Sequence, residues 1–224
     1  MTTLTLGIDD AGRGPVIGPM VLAGCLITEE IEKEFLRLGV RDSKQLTKRR
    51  REFLEKIIKE KSETFEVEVI DPSEIDGKGK SGINLNQVEA IMAAGIINKI
   101  NKGYKKIRVV IDCPSPSRLK WRDLVKVKID NLSNLDIACE HKADRNYVAV
   151  SAASILAKEE RERQMETLKK KYGDNMGSGY ASDQRTTKFL EKNIKKLENH
   201  GIFRKSWKTW KRASSRAEQK KLKF

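Results

Sequence analysis

Residues 3–14 read TLTLGIDDAGRG. Thr3, Leu4, Thr5, Leu6 and Ile8 favour a short β-strand, and two adjacent carboxylates, Asp9 and Asp10, close it. Gly12 and Gly14 then break the chain on either side of Arg13. Such a strand has to bury Leu6 and Ile8 in a sheet while ending in negative charge. That charge belongs at the carboxyl edge of the sheet, where open α/β folds keep their chemistry. A polar turn uses the same residue types, so the weight of this stretch depends on the rest of the chain.

With 224 residues, the chain makes one large domain, or one domain and an appendage. No apolar run approaches a membrane span and the N-terminus lacks a signal-peptide pattern, so a cytoplasmic protein is expected. The net charge of +14 favours a polyanionic partner, most simply nucleic acid. Cys25, Cys113 and Cys139 are odd in number and form no CxxC, which reads as reduced core cysteines rather than a disulfide or zinc site.

Patterning predicts strands at 3–9, 20–28, 65–70, 106–111 and 135–139, with a further one at 125–129. The turn signal Gly18-Pro19 makes the first two an antiparallel pair. Helices are predicted at 29–38, from Thr47 to about 61, from Asn84 to about 102, at 146–172, and from Ser182 or Asp183 to about 197. The stretch 73–84 (SEIDGKGKSGIN) reads as a Gly/Lys-rich loop. Its Gly79-Lys80-Ser81 ending is not a phosphate-binding P-loop, because Glu74 stands where the first glycine belongs. From Arg204 the chain turns basic, with nine Lys/Arg against Glu218 alone and with Trp207 and Trp210 among them. Packing is the expected use of both tryptophans. The expected division is a catalytic domain over residues 1–200 and a basic segment over 201–224.

The chemistry narrows by elimination. Only His141 and His200 exist, and neither HExxH, zinc spacing nor Gly-x-Ser-x-Gly appears. What recurs is carboxylates at strand ends: Asp9 and Asp10, Asp112 after KIRVVI, and Asp144 just past Cys139. Each alone has a plain structural use, Asp112 in a turn and Asp144 as a helix cap. Together at one sheet edge they would repel one another unless neutralised. Two divalent cations would do this, and oxygen-only ligation suits Mg²⁺ or Mn²⁺. Two such ions about 4 Å apart form the clamp for in-line phosphodiester hydrolysis. A basic protein with this site reads as a nuclease.

At this point a resemblance becomes specific. GIDDAGRGPVIGP at 7–19 resembles the opening motif of type 2 ribonuclease H (RNase HII), which in that family reads Asp-Glu-Ala-Gly-Arg-Gly. Further pieces follow in order: DSKQL at 42–46, the strand ending at Asp112, HKAD at 141–144, SAASILAK at 151–158, GSGY at 177–180 and SWKT at 206–209. The tail and the HKAD–SAAS arrangement look most like archaeal members. The resemblance implies an α/β ribonuclease H-like fold, a mixed central sheet flanked by helices, with a small helical basic C-terminal region. It implies an endonuclease that cleaves RNA in RNA–DNA hybrids and incises 5′ of ribonucleotides embedded in duplex DNA, leaving 3′-hydroxyl and 5′-phosphate ends, as in ribonucleotide excision repair. Carried over residue by residue, Asp9, Asp10, Asp112 and Asp144 are the catalytic metal ligands. Gly12, Arg13 and Gly14 recognise the ribonucleotide, Tyr180 stacks on its sugar or on the neighbouring one, and Lys44 contacts a phosphate. Lys142 and Lys158 are lesser phosphate candidates. Two residues without a Cβ let backbone groups approach a sugar closely, and the 2′-hydroxyl is what marks RNA.

One position departs from the family. Asp10 stands where it has glutamate, which keeps the charge and shortens the reach by one methylene. The expected result is activity that is reduced or shifted towards Mn²⁺. The alternative from another class is a hybrid-binding protein whose metal site Asp10 has disabled. The last six residues, Gln219–Phe224 (QKKLKF), resemble the sliding-clamp peptide, Gln-x-x-aliphatic followed by an aromatic. Only one residue separates Leu222 from Phe224 where the full pattern has two; the competing use is a basic tail that holds phosphates. No heptad or other interface pattern stands out, so a monomer is expected.

Overall fold

A computed structural model describes residues 4–41 and 46–219. Lys44, and the clamp-like segment beyond Gln219, lie outside the described residues. The strands are β1 (Leu4–Ala11), β2 (Met20–Thr28), β3 (Thr64–Ile70), β4 (Ile107–Asp112) and β5 (Leu135–Glu140). The helices are α1 (Glu29–Arg37), α2 (Lys48–Lys61), α3 (Pro72–Lys80), α4 (Leu85–Ile100), α5 (Arg118–Lys126), α6 (Ala143–Asn146), α7 (Val148–Tyr172), α8 (Gln184–Asn193) and α9 (Lys208–Gln219). The five strands form one sheet in the order β3-β2-β1-β4-β5. The chain divides into two compact units, the first holding 1–11, 21–68 and 85–160, the second 12–20, 69–84 and 161–224. The composition change near residue 200 thus falls inside the second unit.

In the first unit β1 runs antiparallel to β2, with Gly7 opposite Cys25 and Asp10 opposite Leu22. It runs parallel to β4, with Ile8 beside Ile111, and β4 is parallel to β5, with Asp112 beside Glu140. The sheet is therefore mixed. Its central strands are buried on both faces: Leu6, Ile8, Val109 and Val110 are shut off from solvent. On one face, Ala23, Cys25 and Ile27 of β2 join Phe35, Leu54 and Ile58 with Ala149, Ala152, Ala153 and Leu156 of α7. The small residues of α7 let it sit close, and a Cβ at Gly7 would run into the backbone of Ala149 and Val150. On the other face, α4 packs against β2, where Ile96 lies over Gly24.

Two elements differ from the sequence expectation. Residues 125–129 are not a strand: α5 runs through Val125 to Lys126, and its buried side is Trp121 and Val125 at i,i+4 spacing. Trp121 Nε1 donates to the Asn86 carbonyl at 2.9 Å, which anchors that helix. Nor is the whole of 73–84 a loop. Pro72 takes the first position of α3 after Asp71, and Pro72 and Ile75 are its buried residues. A Cβ added at Gly77 or at Gly79 would meet nothing within 4 Å, so the helix tolerates both glycines without packing against either.

The second unit has its own core. Val16 and Ile17 pack with Met165, Met176, Phe189, Leu190, Ile202, Phe203 and Trp210. Ile17 bridges Phe203, and Trp210 lies 4.7 Å from the Phe203 ring, the packing role expected of it. Among the described residues, no helix is long and apolar enough to cross a membrane.

Candidate active site

The carboxylates at 9, 10, 112 and 144 all belong to the first unit. β1 delivers Asp9 and Asp10 at its end, and β4, its parallel neighbour, delivers Asp112 one residue beyond the registered pair Ile8–Ile111. The parallel arrangement is what makes two separate strand ends coincide. Asp9 is 6% exposed. Burial first, then the charges of Asp10 and Asp112, hold its carboxyl well above the ordinary aspartate range. The Ser154 side chain and the Asp10 N–H, 2.8 Å from Asp9 Oδ1, partly offset this by donating to it. Asp112 Oδ1 accepts from the Ala143 N–H at 2.8 Å, which ties the start of α6 to the end of β4. Asp144 follows in the first turn of α6, 2% exposed. It is not the helix cap; that position is Lys142, exposed and in a left-handed conformation with φ 58°.

A narrow cleft lies beside Asp9, Asp10 and Asp112. Glu89 of α4, 1% exposed, lines it too. Sequence reasoning missed Glu89. Its signal was a carboxylate on the apolar stripe that includes Met92 and Ile96, which reads as ordinary helix periodicity. Among the described residues, no three His, Cys, Asp or Glu side chains stand in a ready metal-ligating group. The donor set is nevertheless all oxygen, and Asp9 is buried beside the like charges of Asp10 and Asp112. Both features fit a hard divalent cation. Lys158 sits half-buried on α7.

Gly12, Arg13, Gly14 and Tyr180 belong to the second unit. Gly12 has φ +81°, and a Cβ there would meet Arg161 and the Pro19 carbonyl. A Cβ on Gly14 would meet only the Tyr180 ring, at 3.7 Å. Tyr180, 38% exposed, thus stands against the glycine loop. Arg161, buried and with its guanidinium held below the usual arginine range chiefly by that burial, lies 5.1 Å from the Tyr180 ring centre. Its Nη2 donates to the Ser178 carbonyl at 3.0 Å. Arg204 is fully buried and binds the same loop from another side. Neither arginine was singled out in the sequence, because only burial separates them from the many solvated cations.

A mixed five-stranded sheet with acids at the ends of β1 and β4 and helices on both faces is the architecture of ribonuclease H-like nucleases. The comparisons give the family. The ribonuclease HII family model matches residues 6–210. Ribonuclease HII of Methanocaldococcus jannaschii is 43% identical over 229 residues, covering 98% of each chain. The crystal structure of ribonuclease H2 from Pyrococcus horikoshii matches 97% of this chain and all of that one, at 35% identity and TM-score 0.86. The RNase HII in a PCNA:RNase HII complex from Archaeoglobus fulgidus matches 92% of this chain and 95% of that one, at 36% identity and TM-score 0.80. The chain belongs to the ribonuclease HII family, the type 2 ribonucleases H.

Proposed function

We propose that this chain is a metal-dependent endoribonuclease that cleaves RNA in RNA–DNA hybrids and incises 5′ of single ribonucleotides in duplex DNA, leaving 3′-hydroxyl and 5′-phosphate ends. The observation that carries the reading is Asp9, a buried carboxylate crowded by Asp10 and Asp112 at the junction of two parallel strands. Family membership supports the substrate class. Asp9, Asp10, Asp112 and Asp144 are the residues that would hold Mg²⁺ or Mn²⁺. When bound, such ions activate water and steady the leaving oxygen. Ser154 and the Asp10 N–H orient the Asp9 carboxyl, and the Ala143 N–H orients that of Asp112. Gly12, Arg13 and Gly14 read the ribose through their backbone, and Tyr180 stacks against the sugar. Lys44, with Lys142 and Lys158, meets phosphates.

We extend the reading to partners and place. The Archaeoglobus fulgidus relative was solved with PCNA; here Gln219–Phe224 is the segment proposed to bind a sliding clamp. The catalytic domain spans 1–200, the basic segment 201–224 adds affinity for nucleic acid, and the protein works as a cytoplasmic monomer in ribonucleotide excision repair.

The test is a DNA duplex bearing one ribonucleotide, incubated with the protein in Mg²⁺, in Mn²⁺ and in EDTA, beside an all-DNA duplex. Cutting 5′ of the ribonucleotide, dependent on metal and absent from the control, is expected. Tight binding without cutting in either ion would replace this reading with that of a hybrid-binding protein whose metal site Asp10 has disabled.

A further inference from the structure

Arg204 reaches every corner of the loop that follows β1. Its Nη2 donates to the Gly12 carbonyl at 2.6 Å and its Nη1 to the Arg13 carbonyl at 2.7 Å. Nε and Nη2 also hold the Gly18 carbonyl, at 3.1 and 3.0 Å. The next carbonyl, that of Gly14, accepts from Trp207 Nε1 at 3.1 Å. The Trp207 ring is in turn stacked 5.0 Å from the Arg204 guanidinium. The Arg204 N–H donates to the Val16 carbonyl at 2.9 Å, so its backbone is pinned to the same loop. Three successive carbonyls, those of residues 12, 13 and 14, are thereby directed at one buried cation and its stacked indole.

This has a geometric consequence. A trans peptide points its N–H opposite to its C=O, and the chain has no cis bond. The Gly12 carbonyl shares a peptide with the Arg13 N–H, and the Arg13 carbonyl shares one with the Gly14 N–H. Turning both carbonyls onto Arg204 turns both N–H groups away from it. Arg13 is half-buried and Gly14 exposed. Arginine suits the task because its planar fork carries five donors with fixed directions; lysine offers a single point charge.

We infer that Arg204, with Trp207, is the positioning residue that sets the direction of the 12–14 peptides, so that the Arg13 and Gly14 N–H groups form a preset donor pair for a ribose hydroxyl. The inference rests on the proposed reading of this loop as the ribonucleotide reader. Arg204 touches no substrate; it acts through the backbone that does. It governs discrimination between a ribonucleotide and a deoxyribonucleotide more than the chemistry at Asp9.

Trp207→Phe removes the N–H and leaves a smaller aromatic ring at a half-buried position, and Arg204→Lys keeps the charge and loses the fork. The readout is the ratio of affinities, in EDTA, for a duplex with one ribonucleotide and the same duplex with deoxyribose there. Amide ¹H–¹⁵N shifts of Arg13 and Gly14 are followed as each duplex is added. In the unaltered protein these two amides move with the ribonucleotide duplex alone. The affinity ratio falls in both variants, by roughly tenfold where one hydrogen bond's worth of orientation is lost, and the free-state amide shifts of 13 and 14 change. Trp207→Phe retaining both its melting temperature and the full ratio, with unmoved amides, would overturn the inference even if Arg204→Lys fails to fold. An unaltered protein without any preference would instead defeat the reading of the loop itself.

Discussion

Asp9 shows what the site demands of a single residue. It is buried, it faces like charge from Asp10 and Asp112, and folding raises its proton affinity. Keeping it ionised in the folded chain without a counter-ion therefore costs stability. Asp9→Asn keeps the shape and an oxygen for the Asp10 N–H while removing the charge. In EDTA at pH 8 its melting temperature is expected to rise by roughly 2–4 °C, about 1 kcal/mol for a chain of this size. Thermal melts with and without metal check this; the gain should shrink when Mg²⁺ or Mn²⁺ is added, because the ions stabilise only the aspartate form. In the proposed metal site, Asp10 keeps the charge of the family's glutamate and shortens its reach. Ligand groups must be held within about half an ångström of their working geometry, and a missing methylene exceeds that. Asp10→Glu is expected to raise the Mg²⁺-supported rate and narrow the gap to the Mn²⁺-supported rate. Equal rates for the two proteins in both metals would show that Asp10 already reaches.

Among the elements, the turn into α8 ties the loop that carries Tyr180 to a helix end. Asp183 caps α8 by accepting from the Arg185 N–H, while its other oxygen accepts from the Ser178 N–H at 2.9 Å. The Arg185 side chain binds the same carboxylate, at 3.1 Å. These donors hold the Asp183 carboxyl well below the usual range, the Arg185 side chain most of all. A carboxylate with a depressed folded pKa contributes stability above its unfolded value and loses it as pH falls through that value towards the folded one. Asp183→Asn should therefore lower the melting temperature at pH 7 and flatten its decline below about pH 4, measured as melts from pH 7 to pH 2.5. A parallel acid limb in both proteins would remove the cap from the account. The cap was legible in the sequence, as were Thr47 on α2 and the strand ends bearing acids, because each is written in adjacent residues. Residues 72–80 were misread because Gly77 and Gly79 signal a loop, whereas Pro72 and the buried Ile75 fix the helix. Val125–Ile129 misled through local alternation when Trp121 and Val125 decide the buried side.

Across the whole molecule, sequence reading recovered what repeats along the chain and lost what only folding assembles. The convergence of Asp9, Asp10 and Asp112 was expected from the acids at strand ends, whereas the mixed sheet was expected only from the family resemblance, and the parallel pairing of β1 with β4 is seen in the structure. Glu89, Ser154, Arg161 and Arg204 gain meaning from burial alone, and a chain with net charge +14 offers many cations to hide behind. On the proposed reading the last segment has two separable roles. Lys220, Lys221 and Lys223 would supply charge for phosphates, whereas Gln219, Leu222 and Phe224 carry the clamp-like pattern, one residue short of its full spacing. Duplex affinity should fall steeply with salt, since each phosphate neutralised releases counter-ions, with a logarithmic slope of about −0.9 per contact. Replacing the three lysines with alanine should flatten that slope by up to about 2.7 and weaken all duplexes alike, ribonucleotide or not. Replacing Leu222 and Phe224 with alanine should leave the slope as it was and abolish retention on an immobilised sliding clamp. Loss of clamp retention with only the lysine set, or a slope that moves with only the apolar set, would reverse the assignment.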